Sequence, residues 1–91
     1  MTKPQTLSPT ATDDELALRA PADRAAFSEL YDRYLVRVFR YCSFRVSSSA
    51  DAEDITAQVF LDAWNALPRY RARGQFAAWL FSIVRRRCAD H

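Results

Sequence analysis

The sequence predicts an all-α fold, a compact bundle of three main helices plus a short N-terminal helix. Apolar residues recur at helical spacing along three long segments. The chain has one glycine, and three of its four prolines lie within the first 21 residues, which leaves little turn chemistry for a β-fold. A length of 91 residues suits one domain, and no apolar run approaches the roughly 20 residues of a membrane span.

The first residues differ in composition from the rest. Residues 1–11 are polar and contain Pro4 and Pro9, which predicts a disordered lead-in to a helical domain at residues 12–91. This segment has neither the apolar core nor the cleavage site of a signal peptide, so we expect a cytoplasmic protein.

Capping patterns place the first two helices. Thr12 and Glu15 form a T-x-x-E capping box, which predicts a short helix ending near Arg19. Pro21 suits the first turn of a second helix, predicted over about 21–46. Ten residues share one side of that helix and predict its core face: Phe27, Leu30, Tyr31, Tyr34, Leu35, Val38, Phe39, Tyr41, Cys42 and Val46.

The third helix is predicted over about 50–67, with Ser48 as its N-cap and Pro68 after its end. Its apolar residues cover more than half of the helix circumference, so we expect it to be enclosed on most sides. A narrow stripe is left exposed: Asp54, Gln58, Leu61 and Asn65, with Asp62 beside them. Such a stripe is either the one solvent-exposed side of an otherwise buried helix or a docking site for a partner helix.

A loop at residues 68–74 precedes the fourth helix, predicted from about Gln75 to the chain end. The apolar face of this helix comprises Phe76, Trp79, Leu80, Ile83, Val84 and Cys88, and its outer face Gln75, Ala78, Ser82, Arg85, Arg86 and Ala89. Arg87 falls within the apolar arc. We expect it to extend past the end of the bundle toward the negative helix pole.

Charge is divided unevenly along the chain. Residues 1–68 carry seven bases and ten acids, a net charge of −3, whereas residues 69–91 carry six arginines and one acid, a net charge of +5. Concentrated arginine favours polyanion binding, although a solvated face that keeps the bundle soluble gives the same pattern. The predicted nucleic-acid residues are Arg69, Tyr70, Arg71, Arg73, Gln75, Ser82, Arg85 and Arg86. Arginine and an aromatic on a loop fit single-stranded or melted nucleic acid at least as well as a duplex.

The residue types and their spacing do not support catalysis, cofactor binding or metal binding. The only histidine is the last residue, so no serine or cysteine has a neighbouring base and no usual zinc spacing exists. Cys42 and Cys88 lie in apolar helical patterns, and we expect buried, reduced thiols.

Residues 52–91 contain the series AED…VF…AW..LPR…F..WL…DH. This series closely resembles region 2 of bacterial extracytoplasmic-function (ECF) sigma factors, in the sigma-70 superfamily, and the segment AFSELYDRYLVRVFRYCSFRV is similar to the preceding helix of that region. The resemblance covers about residues 13–91 and implies a role in transcription initiation.

The resemblance implies two partners. Region 2 of such factors docks on the clamp helices of the RNA polymerase β′ subunit, which would place polymerase on the stripe of the third helix. It also recognises and helps melt the minus-ten promoter element by capturing an unpaired non-template base, which would place promoter DNA on the loop and the outer face of the fourth helix. An anti-sigma factor is a further candidate partner, and no membrane contact is implied.

The chain departs from the family pattern at four positions. Gln and Glu usually stand where this chain has Ala57 and Gln58, and Asn and an apolar residue where it has Arg86 and Arg87. The promoter preference of relatives therefore does not transfer. Family members continue into a region 4 domain that is not among these 91 residues, so we expect this sequence to be an excised or shortened part of a sigma factor. The alternative function is a helical interaction module that binds a regulatory protein without a DNA role.

Overall fold

A computed structural model describes residues 11–91, which are helical and contain no strand. The helices are α1 (Asp13–Arg19), α2 (Arg24–Ser43), α3 (Ser49–Ala66) and α4 (Phe76–Asp90), with 3-10 turns at Ala20–Ala22 and Leu67–Arg69. The predicted all-α class is confirmed. The predicted lead-in falls outside the described residues except for Ala11, which is buried.

The predicted caps of α1 and α3 are confirmed. At α1, the Thr12 hydroxyl accepts a hydrogen bond from the Glu15 backbone N–H at 3.1 Å, and the Glu15 carboxylate accepts one from the Thr12 N–H at 2.8 Å. At α3, the Ser48 hydroxyl accepts a hydrogen bond from the Asp51 N–H at 3.1 Å. These side chains satisfy backbone donors that have no partner inside the helix.

The predicted bounds of α2 are wrong at both ends. Pro21 lies in the 3-10 turn, and α2 starts at Arg24 because the extended Asp23 caps it, accepting a hydrogen bond from the Ala25 N–H at 3.0 Å. The helix ends at Ser43, before the predicted end. There the backbone tightens, since the Arg45 N–H donates to the carbonyl of Cys42 at 2.9 Å.

The core lies between α2, α3 and α4, and α1 closes one side. Fully buried aliphatic side chains come from every α-helix: Leu16, Val38, Val59, Leu80 and Val84. On α4, all six residues predicted for the outer face are exposed. The core prediction for α2 holds for most positions, although Tyr31 is 37% exposed. None of the described helices is long and apolar enough to cross a membrane.

The exposed face of α3 is wider than the predicted stripe. Glu53 and Ala57 are exposed beside it, and Trp64 is half-buried. The expectation that α3 is enclosed on most sides is therefore wrong. The reason is that α2 and α4 cover one side of α3, and no described element covers the other.

The two cysteines lie side by side near the C-terminal ends of α2 and α4. Both are free thiols, and their sulfur atoms are 3.8 Å apart. Cys42 is buried as expected, but Cys88 is only half-buried, because it borders the cavity formed with Tyr41, Arg45 and Arg85. Burial, and secondarily the contact with Cys42, raises the pKa of the Cys88 thiol to about 11. Cys88 is therefore protonated at neutral pH, which makes it a poor nucleophile.

Candidate functional site

The loop before α4 and the first two turns of α4 enclose an open cavity of about 440 Å³. Six of the eight residues predicted to bind nucleic acid line it: Arg69, Tyr70, Arg71, Arg73, Gln75 and Ser82. Ala78 and the indole of Trp79 complete the wall. The structure thus brings most of that predicted set together around one concave surface.

Arg85 and Arg86 lie apart from this cavity, further along α4. Both are exposed, and Arg85 borders a second cavity of about 350 Å³ with Tyr41, Arg45 and Cys88. None of the ion pairs among the described residues involves the predicted nucleic-acid arginines. Their guanidinium groups therefore remain available to an anionic ligand.

Asp14, in the first turn of α1, holds the loop in place. Its carboxylate accepts a hydrogen bond from the Tyr70 hydroxyl and another from the Gly74 backbone N–H at 2.7 Å. Gly74 has a φ of 72°, which suits glycine because other residues rarely adopt that conformation. No signal in the sequence indicates this contact between residues 60 positions apart.

Tyr70, predicted to bind nucleic acid, also packs against neighbouring aromatic residues. Its ring is half-buried and packs on Phe76 and Trp79, with centroid distances of 5.6 and 5.0 Å. Burial, with the hydrogen bond to Asp14, raises the pKa of its hydroxyl far above the usual value, so the hydroxyl stays protonated and donates. Tyr70 therefore lines the cavity while its hydroxyl is bonded to α1.

We expect Asp14→Ala to lower the free energy of unfolding by about 2 kcal/mol, because it removes two hydrogen bonds that contribute about 1 kcal/mol each. The loss should be read from urea unfolding followed by circular dichroism. Tyr70→Phe removes one of the two hydrogen bonds and should lose less. Equal stability of Asp14→Ala and the wild-type chain would show that Asp14 does not hold the loop.

The predicted stripe on α3 is exposed apart from Asp62. Asp54, Gln58 and Asn65 are exposed, as is Leu61, with 59% of its surface accessible. Asp62 is half-buried and bonded to Arg87 of α4, with its two carboxylate oxygens 2.6 and 2.9 Å from the Arg87 Nε and Nη2 atoms. The expectation that Arg87 extends past the end of the bundle is wrong, because this carboxylate offers it a partner across the α3–α4 contact.

Leu61 also borders an apolar groove between α2 and α3 that sequence reasoning missed. The groove has a volume of about 530 Å³ and is lined by Arg24, Phe27, Ser28, Tyr31, Phe60, Leu61 and Trp64. The sequence assigned Phe27 and Tyr31 of α2 to the core, and periodicity carried no signal of the groove, because both lie near the middle of the predicted apolar arc. The exposed surface that contains the stripe therefore continues into a groove that includes part of α2.

Comparison with known proteins identifies the family. A sequence model described as Sigma-70 region 2 matches residues 30–91, which is more than half of the chain. The chain belongs to the sigma-70 region 2 family. The match includes the α3 stripe, the loop at residues 68–74 and α4, whereas Arg24, Phe27 and Ser28 of the groove precede it.

Curated relatives are ECF RNA polymerase sigma factors. The chain is 42% identical over 91 residues to BldN of Streptomyces coelicolor, covering 98% of this chain and 34% of BldN. It is 34% identical over 90 residues to SigC of Mycobacterium tuberculosis, covering 93% of this chain and 48% of SigC. The chain therefore spans about a third to a half of the length of these relatives. No solved structure matches it significantly.

Proposed function

We propose that this region 2 domain is a non-enzymatic transcription initiation module, acting in the bacterial cytoplasm, that binds core RNA polymerase and the minus-ten promoter element. The observation that carries the proposal is that this member of the sigma-70 region 2 family has two separate exposed faces. One is the stripe and groove on α3 and α2, and the other is the arginine-lined cavity before α4.

The α3 face suits a helical partner such as the clamp helices of the polymerase β′ subunit. Leu61 is an exposed aliphatic side chain beside an apolar groove, with the short polar side chains of Asp54, Gln58 and Asn65 around it. This composition, an apolar centre with a polar rim, is typical of protein interfaces. We propose that Leu61 is its anchor.

The cavity before α4 suits an unpaired base and the phosphates beside it. Trp79 and Tyr70 supply aromatic surface at its wall, and Arg69, Arg71 and Arg73 supply positive charge at its rim. Stacking on an aromatic ring together with arginine–phosphate contacts is how proteins hold single-stranded nucleic acid. We propose that this cavity receives a base of the non-template strand, with Arg85 and Arg86 contacting the DNA beyond it.

The test uses the 91-residue chain labelled with fluorescein and purified core RNA polymerase from Streptomyces coelicolor. We expect the anisotropy of the label to rise on titration with the polymerase. The complex should then retain a random-sequence single-stranded 20-mer pool more strongly than the same pool made double-stranded. Absence of polymerase binding, or a preference for the duplex, would contradict the proposal.

A second candidate function is supported by the apolar groove beside Leu61. Such a groove would also serve a helical interaction module that binds a regulatory protein, for example an anti-sigma factor, with no DNA role. In that case the chain would bind its protein partner, while the polymerase complex would show no affinity for single-stranded DNA above that of polymerase alone.

A further inference from the structure

Arg87 joins α4 to two members of the proposed polymerase-binding stripe. Besides its two bonds to the Asp62 carboxylate, it donates a third hydrogen bond from Nη1 to the Gln58 side-chain oxygen at 3.2 Å. One guanidinium group thus holds two side chains that lie one turn apart on α3. Arg85 and Arg86, its neighbours in sequence, point outward.

In the hydrogen bond between Arg87 and Gln58, Arg87 can only be the donor and Gln58 the acceptor. A guanidinium group contains five N–H donors and no acceptor, so the Gln58 atom that faces it must be the carbonyl oxygen. The Gln58 side-chain NH2 group is then directed away from Arg87. Because Gln58 is exposed, that group faces the solvent as a hydrogen-bond donor.

Asp62 supplies the charge that keeps Arg87 in place. The hydrogen bonds from Arg87 lower the pKa of the Asp62 carboxyl group, so it stays ionised at neutral pH. Its side chain is 27% exposed, and both oxygens are bonded to the guanidinium group. Bidentate pairs of this kind fix geometry as well as charge. The Asp62 carboxylate is therefore directed at α4, away from the exposed face of α3.

We propose that Arg87 is a positioning residue that presents the Gln58 NH2 group to an acceptor, a carboxylate or a carbonyl oxygen, on the polymerase. Asp62 then acts only by holding Arg87 in place, and Gln58 and its exposed neighbours make the direct contacts with polymerase. This inference rests on the proposed polymerase-binding role of α3. It gives Arg87, which stands where the family pattern has an apolar residue, a specific role in this chain.

The first test measures the mobility of the Gln58 side chain in the domain without polymerase. Heteronuclear NOE measurements on side-chain NH2 groups report whether an amide is held or rotates freely. We expect a higher value for Gln58 than for Gln75, an exposed glutamine at the start of α4, and a fall to the Gln75 value in Arg87→Leu. In Arg87→Lys the ammonium group keeps the charge but lacks the planar fork, so the Gln58 value should also fall while the melting temperature stays near that of the wild type.

The second test is a double-mutant cycle on polymerase affinity. We expect Gln58→Ala and Arg87→Leu each to weaken binding about tenfold, the equivalent of one hydrogen bond. The double variant should also lose about tenfold, because Arg87 acts through Gln58 and the two effects are not additive. Arg40→Leu, the same substitution at an exposed arginine on α2, should bind like the wild type.

Three outcomes overturn the inference: wild-type affinity in Arg87→Leu, an additive loss of about 100-fold in the double variant, or an unchanged Gln58 NOE in both Arg87 variants. If Arg87→Leu unfolds, the comparison with Arg87→Lys decides. Failure of the proposed function would give a different result. A wild-type chain that binds no polymerase would contradict that function. The NOE comparison would still decide whether Arg87 orients Gln58.

Discussion

Leu61→Arg is expected to weaken binding to core RNA polymerase by more than about 100-fold, since loss of a central interface anchor costs about 3 kcal/mol. The substitution places a long charged side chain beside the groove formed with Phe27, Tyr31 and Trp64. A partner that fills this groove would have to remove the charge from water, which costs several kcal/mol unless a well-placed acidic group pairs with it. Fluorescence anisotropy with labelled chain measures the loss.

Leu18→Arg is the matched control for this experiment. Leu18 lies on α1 and is 63% exposed, against 59% for Leu61. Both variants should keep the wild-type free energy of unfolding to within about 0.5 kcal/mol, because surface substitutions seldom change it by more. The assignment of the α3 face would be refuted if Leu61→Arg bound polymerase as tightly as Leu18→Arg.

The sequence was sufficient to predict the features of this fold that depend on local pattern. Periodicity predicted α2, α3 and α4, and it assigned the exposed face of α4 correctly, residue by residue. Capping chemistry predicted Thr12 and Ser48 because an N-cap and the residue it bonds are three positions apart. These signals lie within one turn of helix and need no knowledge of the packing.

The contacts that the sequence did not reveal are long-range. Asp14 reaches Gly74 across 60 positions, and Arg87 reaches Asp62 across 25. A helical wheel assigns each residue to a face of its own helix, but it does not identify the side chain opposite. Arg87 was therefore assigned to the correct face and given the wrong partner. The width of the α3 face was likewise underestimated, because it depends on how many helices pack against it.

Replacing Arg69, Arg71 and Arg73 together by alanine is expected to weaken binding to single-stranded DNA at low salt. Counterion release contributes about 0.7 to the log–log salt slope for each phosphate contact on a single strand. Three lost contacts should therefore reduce the slope by about 2. The difference between variant and wild type should shrink as salt rises. Titrations of a fluorescein-labelled random 20-mer into the polymerase complex at several salt concentrations measure both quantities.

The control is a second triple variant in which Arg19, Arg37 and Arg40, which line neither proposed face, are replaced by alanine. All three are exposed, and either triple substitution changes the net charge of the chain from +2 to −1. A loss caused by overall charge would be the same in both variants, because long-range attraction depends on the summed field. A loss confined to the loop variant places the phosphates at the cavity before α4. Equal losses would instead mean that this cavity has no special part in holding DNA.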